Sequence, residues 1–145
     1  MILYAIDASC STSLDVIRSG FDKLKAEGHV KDSFLDACVN REKEYPTGLP
    51  TEIPVAIPHT FAEHVISPAI CLVRLRKPVL FFCMGEEGES VEVSFAFVIA
   101  FQQAGDQTSL LKKLLKVAQS ADTLHTFKEM SITQLQDVAS KLLDV

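Results

Sequence analysis

Residues 45–59 read YPTGLPTEIPVAIPH. The first ten hold three prolines and a glycine. Proline fixes its own φ and has no N–H to donate, so such a run cannot sit inside a helix or a central strand. It predicts a long, shaped loop, and loops of this kind on a rigid scaffold are frequent carriers of function. The apolar VAI at 55–57 then reads as a short strand, closed by Pro58 and His59. The loop divides the chain into two parts whose patterns differ.

Upstream, residues 2–6 (ILYAI) read as a strand. Ser11 and Ser13 offer N-caps for a helix whose apolar positions Leu14, Ile17, Phe21 and Leu24 follow three-four spacing. Gly28 is placed to end that helix. A second helix starts near Asp32–Ser33, turns Phe34, Leu35, Cys38 and Val39 inward, and ends near Glu44, before Pro46 and Gly48. Downstream, residues 69–75, 79–83 and 91–101 are rich in Val, Ile and Phe and predict three strands. Val91, Val93, Phe95 and Phe97 alternate with Glu92 and Ser94, although the end of that run (AFVIAF) fits a helix as well. GEEGES at 85–90 is a turn. Leu110, Leu111, Leu114, Leu115 and Ala118 predict a helical stripe, Leu124 and Phe127 a short helix, and Thr133 with Gln136 a capping box ahead of Leu135, Val138 and Leu142. Strand, two helices, strands, then helices is the order of an α/β fold: a mixed central β-sheet flanked by α-helices, as a single domain over 1–145.

Composition narrows the function. With 48% hydrophobic and 23% charged residues the chain is an ordinary globular one. No run reaches the roughly 18 apolar residues of a membrane span, and the N-terminus lacks the basic region and apolar core of a signal peptide, so a cytoplasmic location is expected. A net charge of −5, with no block of Lys or Arg, argues against nucleic acid as a partner. Of the four cysteines, Cys38, Cys71 and Cys83 lie in apolar surroundings and read as reduced core residues rather than disulfides or metal ligands. Neither a G-x-x-x-x-G-K-[ST] loop nor a G-x-S-x-G elbow occurs, so neither direct nucleotide binding nor serine-hydrolase chemistry is supported.

His59 stands out by context. Pro58 stiffens its backbone and biases Ile57 toward an extended conformation. Neutral imidazole, with an unperturbed pKa of about 6.5, attacks a phosphoryl group without first losing a proton. From the residues alone, an ordinary histidine closing a strand is the commoner reading. His64 is five residues on, not at the four-residue spacing of paired zinc ligands, and no Cys or acidic cluster completes a metal site. His29 and His125 read as surface residues near helix ends. A moving phosphate needs cations or donors around it. Arg41 could grip two phosphate oxygens, or pair at the surface with Glu42 or Glu44. Thr47 and Gly48 could offer a hydroxyl and a backbone N–H, and Gln107 an amide, though Gln107 also reads as a plain helix-start residue.

The segment REKEYPTGLPTEIPVAIPHT at 41–60 closely resembles the active-site signature of the fructose–mannitol class of enzyme IIA in sugar phosphotransferase systems. The matching pieces are Arg41-Glu42, Thr47-Gly48 and Val55-Ala56-Ile57-Pro58-His59. Tyr-Pro-Thr-Gly ahead of the histidine is most similar to the galactitol-type branch. The resemblance implies that His59 accepts phosphate at Nε2 from phospho-HPr and passes it to a cysteine of enzyme IIB, which serves the membrane component IIC. It implies that Arg41 steadies the phosphoryl oxygens, that no cofactor or metal is used, and that the membrane is reached only indirectly. Many members carry a second histidine where Gln107 stands; glutamine can donate a hydrogen bond but cannot become cationic, and the galactitol-like branch also uses glutamine. Ile53, Phe61 and Val65 are expected around the docking surface, with Glu42, Glu52 and Glu63 for basic partner residues, and the chain is expected as a monomer. Two other functions compete: a regulatory phosphohistidine switch of the same fold, and a non-enzymatic interaction domain with a structural His59.

Overall fold

The computed structural model describes residues 1–102 and 104–145, with side chains outside 104–106. Strand β1 (Ile2–Ala8) leads into α1 (Ser13–Ala26) and α2 (Phe34–Glu44). Two very short strands, β2 (Gly48–Leu49) and β3 (Val55–Ala56), and a 3₁₀ turn (Ala62–His64) follow. The long strands β4 (Ala69–Phe82) and β5 (Ser90–Ala100) precede α3 (Ala104–Ala118), α4 (Ala121–Glu129) and α5 (Ile132–Leu143). The sheet order is β1-β4-β5-β3-β2. β1 runs parallel to β4 and β3 parallel to β5, while β4/β5 and β2/β3 are antiparallel. This is the expected mixed sheet with helices on both faces. No described helix is long and apolar enough to cross a membrane.

Two apolar layers hold the helices to the sheet. On one face Val16, Ile17, Leu24, Phe34 and Cys38 of α1 and α2 meet Cys71, Val73, Val98 and Ala100. On the other, Leu114, Leu124, Phe127 and Leu135 of α3, α4 and α5 meet Ile70, Leu72, Phe95 and Phe97. Along a regular strand residues i and i+2 share a face, so a change of face marks a break in the ladder, and β5 has one where its pairing with β4 shifts between Val93 and Phe95. That explains one correction. Val93 packs toward α1 and α2 while Phe95 and Phe97 face the opposite layer, so the alternation does not run through as one face. The run at 91–101 is strand, not helix, to Ala100.

Other expectations move by a few residues. Segments 69–75 and 79–83 belong largely to one strand, interrupted by an irregularity between Arg74 and Val79 that places Pro78 where ladder pairing is already broken. The first helix is capped by Thr12 rather than by Ser11 or Ser13, because Asp15 completes a capping box with it. Leu14 and Leu115 are exposed, not part of the core stripes. The capping box of α5 is Ser131 with Gln134, so that helix begins earlier than Thr133; Gln136 instead accepts from the Ala5 N–H on the edge strand. His29 is buried, not at the surface, with its ring nitrogens bonded to Tyr4 and Ser67. Gly28 ends α1 as expected, with a φ of 82°. Cys38, Cys71 and Cys83 are free and buried, and burial pushes the Cys71 thiol pKa up to about 12.

Helix α1 approaches the sheet closely at Gly20, where a Cβ would lie 2.5 Å from Val98 Cγ2. Gly20→Ala is therefore expected to destabilise the fold by about 1–3 kcal/mol through overpacking. In urea unfolding, the Gly20→Ala/Val98→Ala double variant should lose less stability than the two single losses added together.

Candidate functional site

The site hangs from β3, the short strand inserted beside β5. Val55 and Ala56 pair with Phe95 and Ala96, and the Ile99 N–H donates to the Pro58 carbonyl at 2.9 Å. These bonds carry the chain to the end of the sheet and leave His59 beside Ile99. The imidazole Nδ1 lies 2.6 Å from the Ile57 carbonyl oxygen. A carbonyl can only accept, so Nδ1 carries the proton and Nε2 the lone pair. The Phe101 ring meets the imidazole edge-on at 5.6 Å. His59 is half-buried, and among the described residues none bonds Nε2.

Burial is the main influence on the ring's charge, and it pushes the His59 pKa below 6.5; the Arg41 charge acts in the same direction, and the Ile57 hydrogen bond opposes both. The outcome is an imidazole that is neutral at pH 7, with its lone pair on Nε2.

Arg41 projects from the last turn of α2. Its guanidinium lies 5.2 Å from the centre of the Tyr45 ring and 5.0 Å from that of Phe61. The alternative of a surface pair with Glu42 or Glu44 does not form: none of the ion pairs among the described residues includes Arg41. Stacked guanidinium keeps its N–H edge available for an oxyanion. Arg41, Tyr45, Thr60, Phe61 and His64 share one surface groove.

Glu42 turns the other way. It is buried, and its two carboxylate oxygens accept from the Thr47 N–H and the Thr47 hydroxyl, both at 2.7 Å. The same hydroxyl oxygen accepts from the Ile57 N–H at 3.1 Å. Burial raises the Glu42 pKa, with the Thr47 bonds and the Arg41 charge opposing. Glu42 is thus no surface acid for a partner, and Thr47 is buried with its hydroxyl engaged rather than presented to a ligand. Gly48 lies in the ladder opposite Ala56, and its carbonyl accepts from the Met84 N–H. A Cβ there would come within 2.5 Å of the Phe82 carbonyl oxygen. Gln107 sits half-buried in the first turn of α3, and no described hydrogen bond ties it to this group. Ile53 and Val65 belong to the core, whereas Phe61 is 61% exposed. His64 is half-buried, with Nδ1 bonded to the Ser33 hydroxyl at 2.8 Å.

Sequence reading did not find the Ile57 carbonyl, the Phe101 edge, the two rings around Arg41 or the inward turn of Glu42. One signal for the last was present. A carboxylate near the C-terminus of a helix opposes the helix dipole and needs a local reason.

The sequence matches the family model described as phosphoenolpyruvate-dependent sugar phosphotransferase system, EIIA 2, over residues 3–140. It is 32% identical over 121 residues to the galactitol-specific EIIA component of the PTS system in Escherichia coli strain K12, covering 83% of this chain and 80% of that protein. Its fold is similar to a putative PTS IIA domain from Streptococcus pyogenes M1 GAS, at a TM-score of 0.77 and 19% identity over 99% of this chain and 92% of that one. It is also similar to a chain in the complex of enzyme IIAMTL and phosphorylated enzyme IIBMTL from Escherichia coli, at a TM-score of 0.65 and 20% identity, covering 98% and 93%. At such identities the two structures speak to the fold alone.

An NMR titration of His59 should give a midpoint below 6.5, and Arg41→Ala should raise it only part of the way, because burial is the larger cause. The depressed pKa means that the unfolded chain binds more protons as the pH falls from 6.5 to the folded-state value. Across that window this residue's contribution should favour unfolding, and His59→Gln should remove that part of the acid sensitivity in denaturation curves.

Proposed function

The chain belongs to the EIIA 2 family of the phosphoenolpyruvate-dependent sugar phosphotransferase system, and from that premise we propose that His59 is its phosphoryl-carrying residue. The observation that supports this best is the half-buried imidazole held with its proton on Nδ1 toward Ile57, which leaves the lone pair on Nε2. The Nε2 lone pair attacks phosphorus on phospho-HPr; the donor's N–P bond breaks as the Nε2–P bond forms. Nδ1 keeps its proton throughout, so the phosphorylated ring bears its positive charge against the Ile57 carbonyl, and no separate base is needed. A cysteine thiolate of enzyme IIB then attacks the same phosphorus, and the bond electrons return to Nε2 as the neutral ring is restored. Arg41, oriented by Tyr45 and Phe61, offers a planar pair of donors to the phosphoryl oxygens. The membrane is reached only through the IIB and IIC components.

Galactitol or a related polyol is the sugar class this reading assigns, on the strength of the galactitol-specific relative. Two proteins must dock in turn over the same imidazole. Tyr45, Phe61 and Ile66 are large, exposed apolar residues close in sequence to Arg41 and His59, and they suit a small, transient interface with a polar rim. The exposed Glu44 and Glu63 lie among them and favour basic partner residues.

Incubation with phosphoenolpyruvate, enzyme I and HPr should add one acid-labile phosphate by mass, and His59→Ala should abolish it. Arg41→Ala should slow the transfer roughly a hundredfold, and Arg41→Lys should recover little of that, since an ammonium lacks the fork and the stacking plane. Label passing on to a cysteine of a galactitol-type enzyme IIB completes the reading. Absence of any mass gain sinks it.

A further inference from the structure

We infer that Glu42 and Thr47 are positioning residues that set the orientation and tautomer of His59 through the Ile57 backbone; the inference rests on the reading of His59 as the phosphoryl acceptor. Three hydrogen bonds run in series. The Thr47 hydroxyl donates to Glu42 Oε1 at 2.7 Å, the Ile57 N–H donates to that hydroxyl oxygen at 3.1 Å, and His59 Nδ1–H donates to the Ile57 carbonyl at 2.6 Å. Ile57 is therefore held at both its polar groups, and Pro58 restricts the torsion between them. Its carbonyl has one direction in which to point, and the imidazole follows it.

The residue types are the ones this arrangement needs. At position 47 the side chain must donate to one group and accept from another while buried, which a hydroxyl does and an isosteric valine does not. Glu42 accepts with both oxygens, the second from the Thr47 N–H at 2.7 Å. An amide at position 42 would offer a donor to one of two donors and leave a buried mismatch. Neither side chain reaches the surface of the site: Thr47 is 3% and Glu42 9% exposed. Their effect on phosphorus is accordingly indirect, through the placement of one carbonyl.

The test pairs a spectroscopic readout with a kinetic one. In ¹⁵N NMR of the imidazole, the native chain should show His59 protonated at Nδ1 alone. Thr47→Val should populate the Nε2–H form and slow phosphorylation by phospho-HPr by at least about tenfold, in kcat rather than KM, since the exposed docking residues are untouched. Thr47→Ser should restore both readouts toward native values, a rescue that lost packing does not predict. Glu42→Gln should shift both in the same direction as Thr47→Val, and it carries the test should Thr47→Val not fold. A folded Thr47→Val or Glu42→Gln chain with the native tautomer and rate overturns the inference and leaves His59 as acceptor intact. Tautomer shifts in the variants, beside a native chain that never takes up phosphate, overturn the acceptor reading instead.

Discussion

One hydrogen bond organises this site: the 2.6 Å contact between His59 Nδ1 and the Ile57 carbonyl. An unconstrained imidazole exchanges its proton between two nitrogens and turns about two torsions. A fixed carbonyl removes both freedoms at once, because an acceptor demands the proton on the nearer nitrogen. Which nitrogen remains basic, and where its lone pair points, then become properties of the backbone at the end of a strand. The burial that depresses the ring's pKa acts together with this bond. It keeps the imidazole neutral, while the bond keeps the neutral form in a single state.

The scaffold supplies the fixed carbonyl by an economical route. β3 has only two residues in the ladder, too few to be rigid alone. It is pinned by β5 on one side and β2 on the other, and its continuation is held by the bond from Ile99 to Pro58. β5 lies between the two helical layers, its residues 95–100 all buried, so the site is supported by a strand packed on both faces. The proline-rich loop adds the third constraint from inside. It is anchored at Thr47 on a buried carboxylate from α2, and a polar anchor of this kind holds only when each of its members is satisfied.

The legible part of this design was whatever depends on local chemistry. The loop was legible because proline cannot join a central ladder, Gly28 because a helix end accepts a positive φ, and the place of His59 at a strand end because of the proline before it. The family signature gave Arg41 and Glu42 as neighbours but not their opposite directions. Adjacent helical positions point about 100° apart, so one of them must turn toward the sheet, and only the packing of α2 decides which. Thr47 misled for a related reason. A threonine in a glycine-containing loop before a histidine looks like a phosphate donor, yet the tertiary fold brings Ile57 and Glu42 to its hydroxyl first. Val93 and Phe95 show the same limit in the sheet, since the change of face between them goes with a register shift against β4, which local alternation does not report.

The opposite turns of Arg41 and Glu42 have a consequence for charge. Had Glu42 stayed at the surface, the two would have been placed to pair, and the guanidinium would meet an incoming phosphate already neutralised. An exposed pair of that kind is worth about 0–1 kcal/mol, and stacking of a cation on an exposed aromatic ring about 0.5–1 kcal/mol. Two rings can therefore hold Arg41 about as firmly as a carboxylate would, without cancelling its charge. With Glu42 engaged by Thr47, the positive charge of Arg41 is not paired off by it at the surface, and it disfavours a second proton on the imidazole. A single inward rotation of one acidic side chain thus serves both ends of the site: it anchors the loop against the Ile57 backbone that His59 leans on, and it leaves the neighbouring guanidinium without a carboxylate partner among the described residues.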